Sequence, residues 1–211
     1  MIQALTLSVG TLFSEFFQFV GGATILVRDV WQQIRYKPIY PYLIVEQMYH
    51  IGVRSMSIMS ATALSTGMVM ALQFGYGLAR FGGKYYVPKV VALSLVRELA
   101  PVFTSLMLAG RVGAGITAEV GSMAVTQQLD AIRALGTSPI KKIVIPRVVA
   151  SLLTLPLLAV FANFIGIVGG MFICATELNL TPEFYYQKVV ATIFMKDYVV
   201  GISKTLVFAS F

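Results

Sequence analysis

The feature that most constrains this chain is a long stretch without charge: no Asp, Glu, Lys or Arg stands between Arg54 and Arg80. A helix of about 20 apolar residues crosses the roughly 30 Å hydrocarbon core of a bilayer, so this stretch is long enough to span one. Only 12% of the 211 residues are charged, whereas soluble domains carry about 25%. Because so few charges cannot cover a water-facing surface, the sequence predicts an all-α integral membrane protein with a single transmembrane domain over 1–211.

The spanning helices are predicted to follow an amphipathic N-terminal segment. Residues 1–40 alternate apolar clusters with polar side chains, which favours a helix lying in the membrane interface. Pro38 and Pro41 should separate this helix from the next one, because prolines mark breaks in a helical pattern. The apolar runs that follow predict two spanning helices within 51–118 and a third at 146–176.

Two polar segments separate the later spans and set their orientation. Segment 119–146 is basic and is placed in the cytoplasm, whereas 177–198 is net acidic and is placed in the periplasm. The basic loop at 80–89 then falls outside, which argues against this orientation. The apolar run at 198–211 is too short to cross a bilayer, so we expect it to begin a fourth spanning helix in a chain truncated at its C-terminus.

Arg97 and Glu98 stand side by side inside the second predicted span. At 1.5 Å per residue, Arg97 lies about 15 Å into the membrane, where an ionisable side chain costs roughly 2.5–3.5 kcal/mol on insertion scales. Pro101 has no N–H, so the Arg97 carbonyl loses its helical partner and a kink is predicted. Together these features favour a wet or headgroup-lined cavity. The alternative is a structural ion pair with a residue of another helix: Lys204, Arg111 or Glu119.

One face of the first predicted span carries large apolar side chains at helical spacing: Met70, Phe74, Leu78 and Phe81. Because methionine adapts its shape readily, this stripe could form a wall for acyl chains. Ordinary packing against neighbouring helices explains the stripe equally well. Small residues are dense in the same span and recur in the third, which is typical of helices that pack closely in lipid.

A short amphipathic helix is predicted at 126–135 within the polar segment, with Thr126 as its N-cap and Gly136 as its stop. Its apolar positions recur at helical spacing: Val125, Leu129, Ile132 and Leu135. The stretch "DAIRALGTSPIKKIVIP" is similar to the EAA loop of bacterial ABC importers, a loop that docks in a groove of an ATP-binding partner. A solvated connector is the alternative.

Several classes of function lack their sequence signals. The phosphate-binding pattern G-x-x-x-x-G-K-[ST] does not occur, so we expect no ATP hydrolysis by this chain. Cys174 is the single cysteine and is predicted to be a small core residue, and His50 is the single histidine, which leaves no histidine-based metal cluster. The net charge of +7 is assigned to the cytoplasmic ends of helices rather than to a nucleic-acid surface. We therefore expect that this chain is not itself an enzyme and carries no cofactor or metal.

A continuous run at 91–158 carries a family resemblance. It reads "VALSLVRELAPVFTSLMLAGRVGAGITAEVGSMAVTQQLDAIRALGTSPIKKIVIPRVVASLLTLPLL" and strongly resembles the MlaE-type permease family of ABC transporters, which act with MCE-domain proteins on lipids. The resemblance extends from "QMYHIGVRSM" at 47–56 to "KTLVFA" at 204–209. It implies a homodimeric permease with an interfacial N-terminal helix and five spanning helices, of which the fourth is incomplete here and the fifth is missing.

The resemblance also implies partners, cargo and location. The partners would be a cytoplasmic ABC ATPase that binds ATP and magnesium, a STAS-domain protein and a periplasmic MCE-domain protein. The cargo would be a glycerophospholipid that moves between the inner and outer membranes and maintains outer-membrane lipid asymmetry. The chain would be a multi-pass protein of the bacterial inner membrane. The alternative is a secondary transporter or channel in which Arg97 and Glu98 form an ion or proton relay.

The resemblance and the apolar stripe together assign two groups of residues. The group expected to contact lipid comprises Arg97, Glu98, Leu99, Met70, Phe74, Leu78 and Phe81. The group expected to couple the permease to the ATPase comprises Thr126, Gln127, Leu129, Asp130, Ile132, Arg133, Leu135 and Gly136.

Overall fold

The computed structural model describes residues 2–35 and 40–210, and this part of the chain is helical and contains no strand. The all-α prediction is therefore confirmed, whereas the predicted break at Pro38 lies outside the described residues. The helices are α1 (Ile2–Arg35), α2 (Pro41–Ile51), α3 (Met56–Ala79), α4 (Val87–Ser94), α5 (Ala100–Leu108), α6 (Ala114–Val125), α7 (Gln128–Ala134), α8 (Ile145–Thr176), α9 (Pro182–Thr192) and α10 (Met195–Ser210).

Three continuous helical stretches are long and apolar enough to cross a membrane: Pro41–Ala79, Lys84–Val125 and Ile140–Thr176. They contain 39, 42 and 37 residues, well above the ~20 that a bilayer requires. Compared with the predicted ranges, the first and third begin earlier and the second ends later. All three extensions lie at the end predicted to face the cytoplasm.

Glycines set how closely these helices approach. A Cβ atom on Gly67 of α3 would overlap the carbonyl of Gly166 on α8, and one on Gly169 would lie 2.5 Å from the Leu64 carbonyl. In lipid, where there is little hydrophobic drive between helices, such close backbone contact is a main source of association. The small residues noted in the sequence therefore form the α3–α8 interface.

Helix α9 covers one end of the bundle. Tyr185 is buried, and its hydroxyl occupies the notch at Gly170, where a Cβ atom would lie 2.6 Å from the tyrosine oxygen. Burial, with a smaller contribution from Cys174, raises the pKa of Tyr185, so its side chain stays a neutral hydroxyl. The Cys174 thiol is free and buried in the same apolar cluster, as its apolar surroundings predict.

The N-terminal helix α1 touches the rest of the chain near its C-terminal end. Val30 is buried there, and the Ser138 hydroxyl donates to the Gln33 side-chain oxygen at 3.2 Å. Apolar side chains such as Ile25 and Trp31 remain exposed. An amphipathic helix with an uncovered apolar side is typical of segments that lie in the membrane interface.

Candidate functional site

The centre of the second span is not a regular α-helix. Residues Leu95–Leu99 form a π-turn, in which the Ala100 N–H donates to the Leu95 carbonyl. Pro101 follows directly and has no N–H for the Arg97 carbonyl. The Lys204 ammonium of α10 donates to that carbonyl at 3.1 Å. The irregularity predicted at Pro101 thus takes the form of a π-turn, and a lysine satisfies the carbonyl that the proline leaves free.

Arg97 forms an ion pair with Asp197, in the first turn of α10. The Nε atom donates to Oδ1 at 2.6 Å, and NH2 lies 2.5 Å from the same oxygen. The other carboxylate oxygen accepts from the Phe194 backbone N–H at 2.9 Å. The Asp197 side chain is 2% exposed, but that of Arg97 is 52% exposed. The carboxylate is therefore fixed inside the protein, whereas the guanidinium has one open side.

Glu98 forms a second ion pair with the same helix. Its Oε1 lies 2.5 Å from the Lys204 ammonium, and both side chains are partly exposed. Between the two ion pairs, Gly201 brings α10 against the π-turn, because a Cβ atom there would lie 2.6 Å from the Val96 carbonyl. Lys204 was among the partners expected from the sequence. Asp197 was not, although it stands two helical turns before Lys204 and so shares its face of α10.

The predicted apolar stripe divides into two parts. Met70, Phe74 and Leu78 are half-buried and pack, together with Leu99 of the π-turn, against one apolar cluster of the core. Phe81 lies apart, in the turn after α3, and is 88% exposed. The structure thus brings the charged pair and four of the apolar candidates to the same region of the bundle, but not Phe81.

The predicted coupling helix is present as α7, but the prediction of Thr126 as its N-cap is wrong. The Thr126 hydroxyl donates to the Ser122 carbonyl at 2.8 Å, so this residue still belongs to the last turn of α6. The chain reverses at Gln127, which has a φ of 56° and stands immediately before α7. A hydroxyl that bonds back into the preceding helix is not available to cap the next one.

Gly136 ends α7 as predicted. Its φ is +72°, and the N–H groups of Gly136 and Thr137 donate to the carbonyls of Arg133 and Ile132. This is a Schellman arrangement, in which a left-handed residue closes the helix. Asp130 and Arg133 pair on the surface of α7 at 3.1 Å.

Two uncovered apolar side chains flank α7: Val125 is the last residue of α6, and Leu135 directly follows α7. Val125 and Leu135 are 86% and 82% exposed, whereas Leu129 and Ile132 are half-buried.

The other two residues expected near Arg97 have different partners. Arg111 donates through NH1 to the Arg54 carbonyl and to the Ser55 hydroxyl, and Glu119 pairs with Arg147. Neither contact lies at the Leu95–Leu99 π-turn, and neither was predicted from the sequence.

The chain is similar to known proteins along nearly its whole length. The model of the family described as Permease MlaE matches residues 44–211. A probable ABC transporter permease protein of Rickettsia felis is 37% identical over 214 residues, which cover 99% of this chain and 80% of the relative. One from Synechocystis is 37% identical and covers 92% of this chain and 74% of its own length. The intermembrane phospholipid transport system permease protein MlaE of Haemophilus influenzae is 36% identical over 81% of this chain and 65% of its own length.

Proposed function

This chain belongs to the MlaE permease family and is the permease component of an ABC transporter, and we propose that the cargo it moves is a glycerophospholipid. The name of the Haemophilus influenzae relative supports this cargo, because that protein is a permease of an intermembrane phospholipid transport system. We further propose that transport runs between the inner and outer membranes and maintains outer-membrane lipid asymmetry.

The observation that carries the proposal is the ion pair between half-exposed Arg97 and buried Asp197, which lies beside an apolar cluster. A glycerophospholipid presents an anionic phosphate next to two apolar chains. The open side of the guanidinium offers donors to phosphate oxygens, and the exposed Glu98 carboxylate can accept from a cationic headgroup amine. Met70, Phe74, Leu78 and Leu99 would then face the acyl chains.

Because both charges are already paired with α10, an incoming phosphate would compete with Asp197 for Arg97. The pairing keeps the site close to neutral, which lowers the cost of charge inside the membrane. It also links headgroup binding to the position of α10. A relay of ions or protons through Arg97 and Glu98 has less support, because the family is one of ABC transporters.

We propose that α7 docks in an ATPase that binds ATP and magnesium. Four apolar side chains would supply the contacts: exposed Val125 and Leu135, which flank α7, and Leu129 and Ile132 within it. Gln127 and Gly136 fix the ends of the helix, and Asp130 and Arg133 lie at its surface. Thr126 would act from the last turn of α6, through its bond to Ser122.

The remaining partners rest on the family resemblance. We propose that two copies of the permease act together, with a STAS-domain protein and a periplasmic MCE-domain protein. The assembly would lie in the inner membrane of a bacterium, where the three candidate spans make this chain a multi-pass protein.

Transport in proteoliposomes that contain the whole complex tests the proposal. Arg97→Glu should abolish most ATP-dependent transfer of a fluorescent glycerophospholipid, because it places a like charge opposite both Asp197 and the phosphate. Lys188→Glu is the matched control, since Lys188 is exposed on α9 and away from the π-turn. The variant complex must still assemble. Wild-type transfer by an assembled Arg97→Glu complex would refute the proposed site.

A further inference from the structure

A third ion pair of the spans buries an arginine near the predicted cytoplasmic end. Arg147, in the first turn of α8, is 7% exposed, and its NH2 lies 2.6 Å from Oε2 of Glu119 on α6. Its other terminal nitrogen, NH1, has no hydrogen-bond partner among the described residues. A guanidinium stays charged at any physiological pH, and a buried charge persists only with a partner. Glu119 is therefore what allows Arg147 to be buried.

The position of this pair in the chain is as informative as its burial. Glu119 lies in α6, which leads into α7, and Arg147 lies just after the π-turn Ile140–Val144, which leads out of the α7 region. The ion pair thus joins the two helical segments that flank α7. The Asp130–Arg133 pair, in contrast, is exposed and bridges neighbours within α7 alone.

Helix α6 is also fixed at its other end. Arg111, in the π-turn Ala109–Gly113 that precedes α6, donates to the Arg54 carbonyl and, at 2.8 Å, to the Ser55 hydroxyl. These acceptors belong to the junction between α2 and α3 in the first span. One end of α6 is therefore tied to the first span and its middle to the third.

We propose that Glu119 and Arg147 are positioning residues that transmit a displacement of α7 to the third span. This inference rests on the proposed function, because it takes α7 to be the dock of the ATPase. With the pair intact, α6 and α8 hold a fixed separation, so a force on α7 moves both.

The test measures two quantities in proteoliposomes with the whole complex: glycerophospholipid transferred and ATP hydrolysed. Glu119→Gln keeps the size of the side chain and removes its charge. We expect the ATPase to stay bound and hydrolysis to continue, while the lipid transferred per ATP falls about tenfold, as for a typical coupling between sites. Glu183→Gln on α9 is the matched control, since it makes the same chemical change on an exposed helix.

Exchanging the charges of Glu119 and Arg147 distinguishes a defect in transmission from a defect in folding. Arg147→Glu alone should lower the transfer per ATP, and the double variant Glu119→Arg with Arg147→Glu should recover most of it. A wild-type ratio in Glu119→Gln would overturn the inference. So would loss of the ATPase from that variant, or a double variant no better than Arg147→Glu alone.

A failure of the proposed cargo would look different, because wild type would then hydrolyse ATP without transferring lipid. In that case spin labels on α7 and α8, at Ala131→Cys and Val168→Cys in a Cys174→Ser background, give a readout that needs no cargo. ATP should leave their separation unchanged with the pair intact and should change it in Glu119→Gln. The same response in both proteins would overturn the inference.

Discussion

The carboxylate of Asp197 lies 2.5 Å from the guanidinium of Arg97, although the two residues are 100 positions apart in the chain. This pair and the neighbouring Glu98–Lys204 pair attach α10 to the π-turn of the second span. The charges that looked out of place in the sequence thus hold two helices together and still leave Arg97 half exposed. A guanidinium that is paired on one side and exposed on the other can respond to a competing anion.

Asp197→Asn should lower the melting temperature of the purified protein by several degrees. The change leaves Phe194 with an acceptor but takes the charge partner from Arg97. The buried Cys174 thiol reports unfolding when it reacts with a thiol-specific dye. Asp130→Asn is the control, because it breaks an exposed pair that contributes little to stability. Equal melting temperatures for the two variants would contradict the assignment.

Exchange of the charges in the second pair should separate pairing from headgroup recognition. Glu98→Lys with Lys204→Glu keeps an ion pair between the helices but moves the carboxylate to α10. We expect impaired lipid transfer and a modest loss of stability, because the Arg97 carbonyl loses its Lys204 donor, whereas a partly exposed ion pair contributes only about 0–1 kcal/mol. Full transfer by the exchanged protein would mean that the pair acts only as a link between helices.

Leu129→Asp and Ile132→Asp should each release the ATPase in a pull-down. Both side chains lie on α7, between exposed Val125 and Leu135, which flank the helix. A charge at either position would oppose an apolar interface. Val190→Asp on exposed α9 is the control. Retention of the ATPase at wild-type level by both α7 variants would exclude this helix as the dock.

Gly67→Ala should destabilise the α3–α8 interface by about 1–3 kcal/mol, the usual cost of overpacking. The added methyl group would overlap the Gly166 backbone, which cannot rotate away. Gly77→Ala lies in the same helix with open space around it, and should stabilise the helix by up to about 1 kcal/mol. Thermal unfolding, followed through the reactivity of Cys174, compares the two variants. A lower melting temperature for Gly77→Ala than for Gly67→Ala would contradict the packing.

Tyr185→Phe should leave the melting temperature unchanged or raise it. The Tyr185 hydroxyl is buried and has no hydrogen-bond partner among the described residues, so its removal relieves an unsatisfied group. Tyr185→Ala should be strongly destabilising, because it empties the notch at Gly170. A large loss of stability in Tyr185→Phe would show that the hydroxyl has a partner after all.

The spans and the backbone irregularity could be predicted because they depend on local sequence. Apolar length predicts the three spans, the missing N–H of Pro101 predicts a disturbed helix, and Gly136 supplies the left-handed residue that ends α7. The partner of Arg97 could not be found in this way, since Asp197 meets it only when α10 folds back against the second span. The N-cap prediction for Thr126 was wrong because a threonine hydroxyl can donate to a carbonyl of the preceding turn instead of capping the next helix.

The candidate site shows the same division. The type and spacing of Met70, Phe74 and Leu78 predict that they share a face, and they do pack against one cluster. Phe81 continues the pattern in sequence, but the helix has already ended at Ala79, so the helical spacing no longer applies. Burial of Arg147 depends on contacts between α6 and α8, which no single stretch of sequence reveals.

A π-turn contains one residue more than the α-turn it replaces. The second span has two such turns, at Leu95–Leu99 and Ala109–Gly113. The charged side chains that tie it to other helices lie within or beyond these turns: Arg97, Glu98, Arg111 and Glu119. Deleting one residue from the first turn would rotate everything after it by about 100° about the helix axis. Arg111 would then miss its acceptors and Glu119 its donor, Arg147, so the length of this segment is as strictly constrained as the identity of its charged residues.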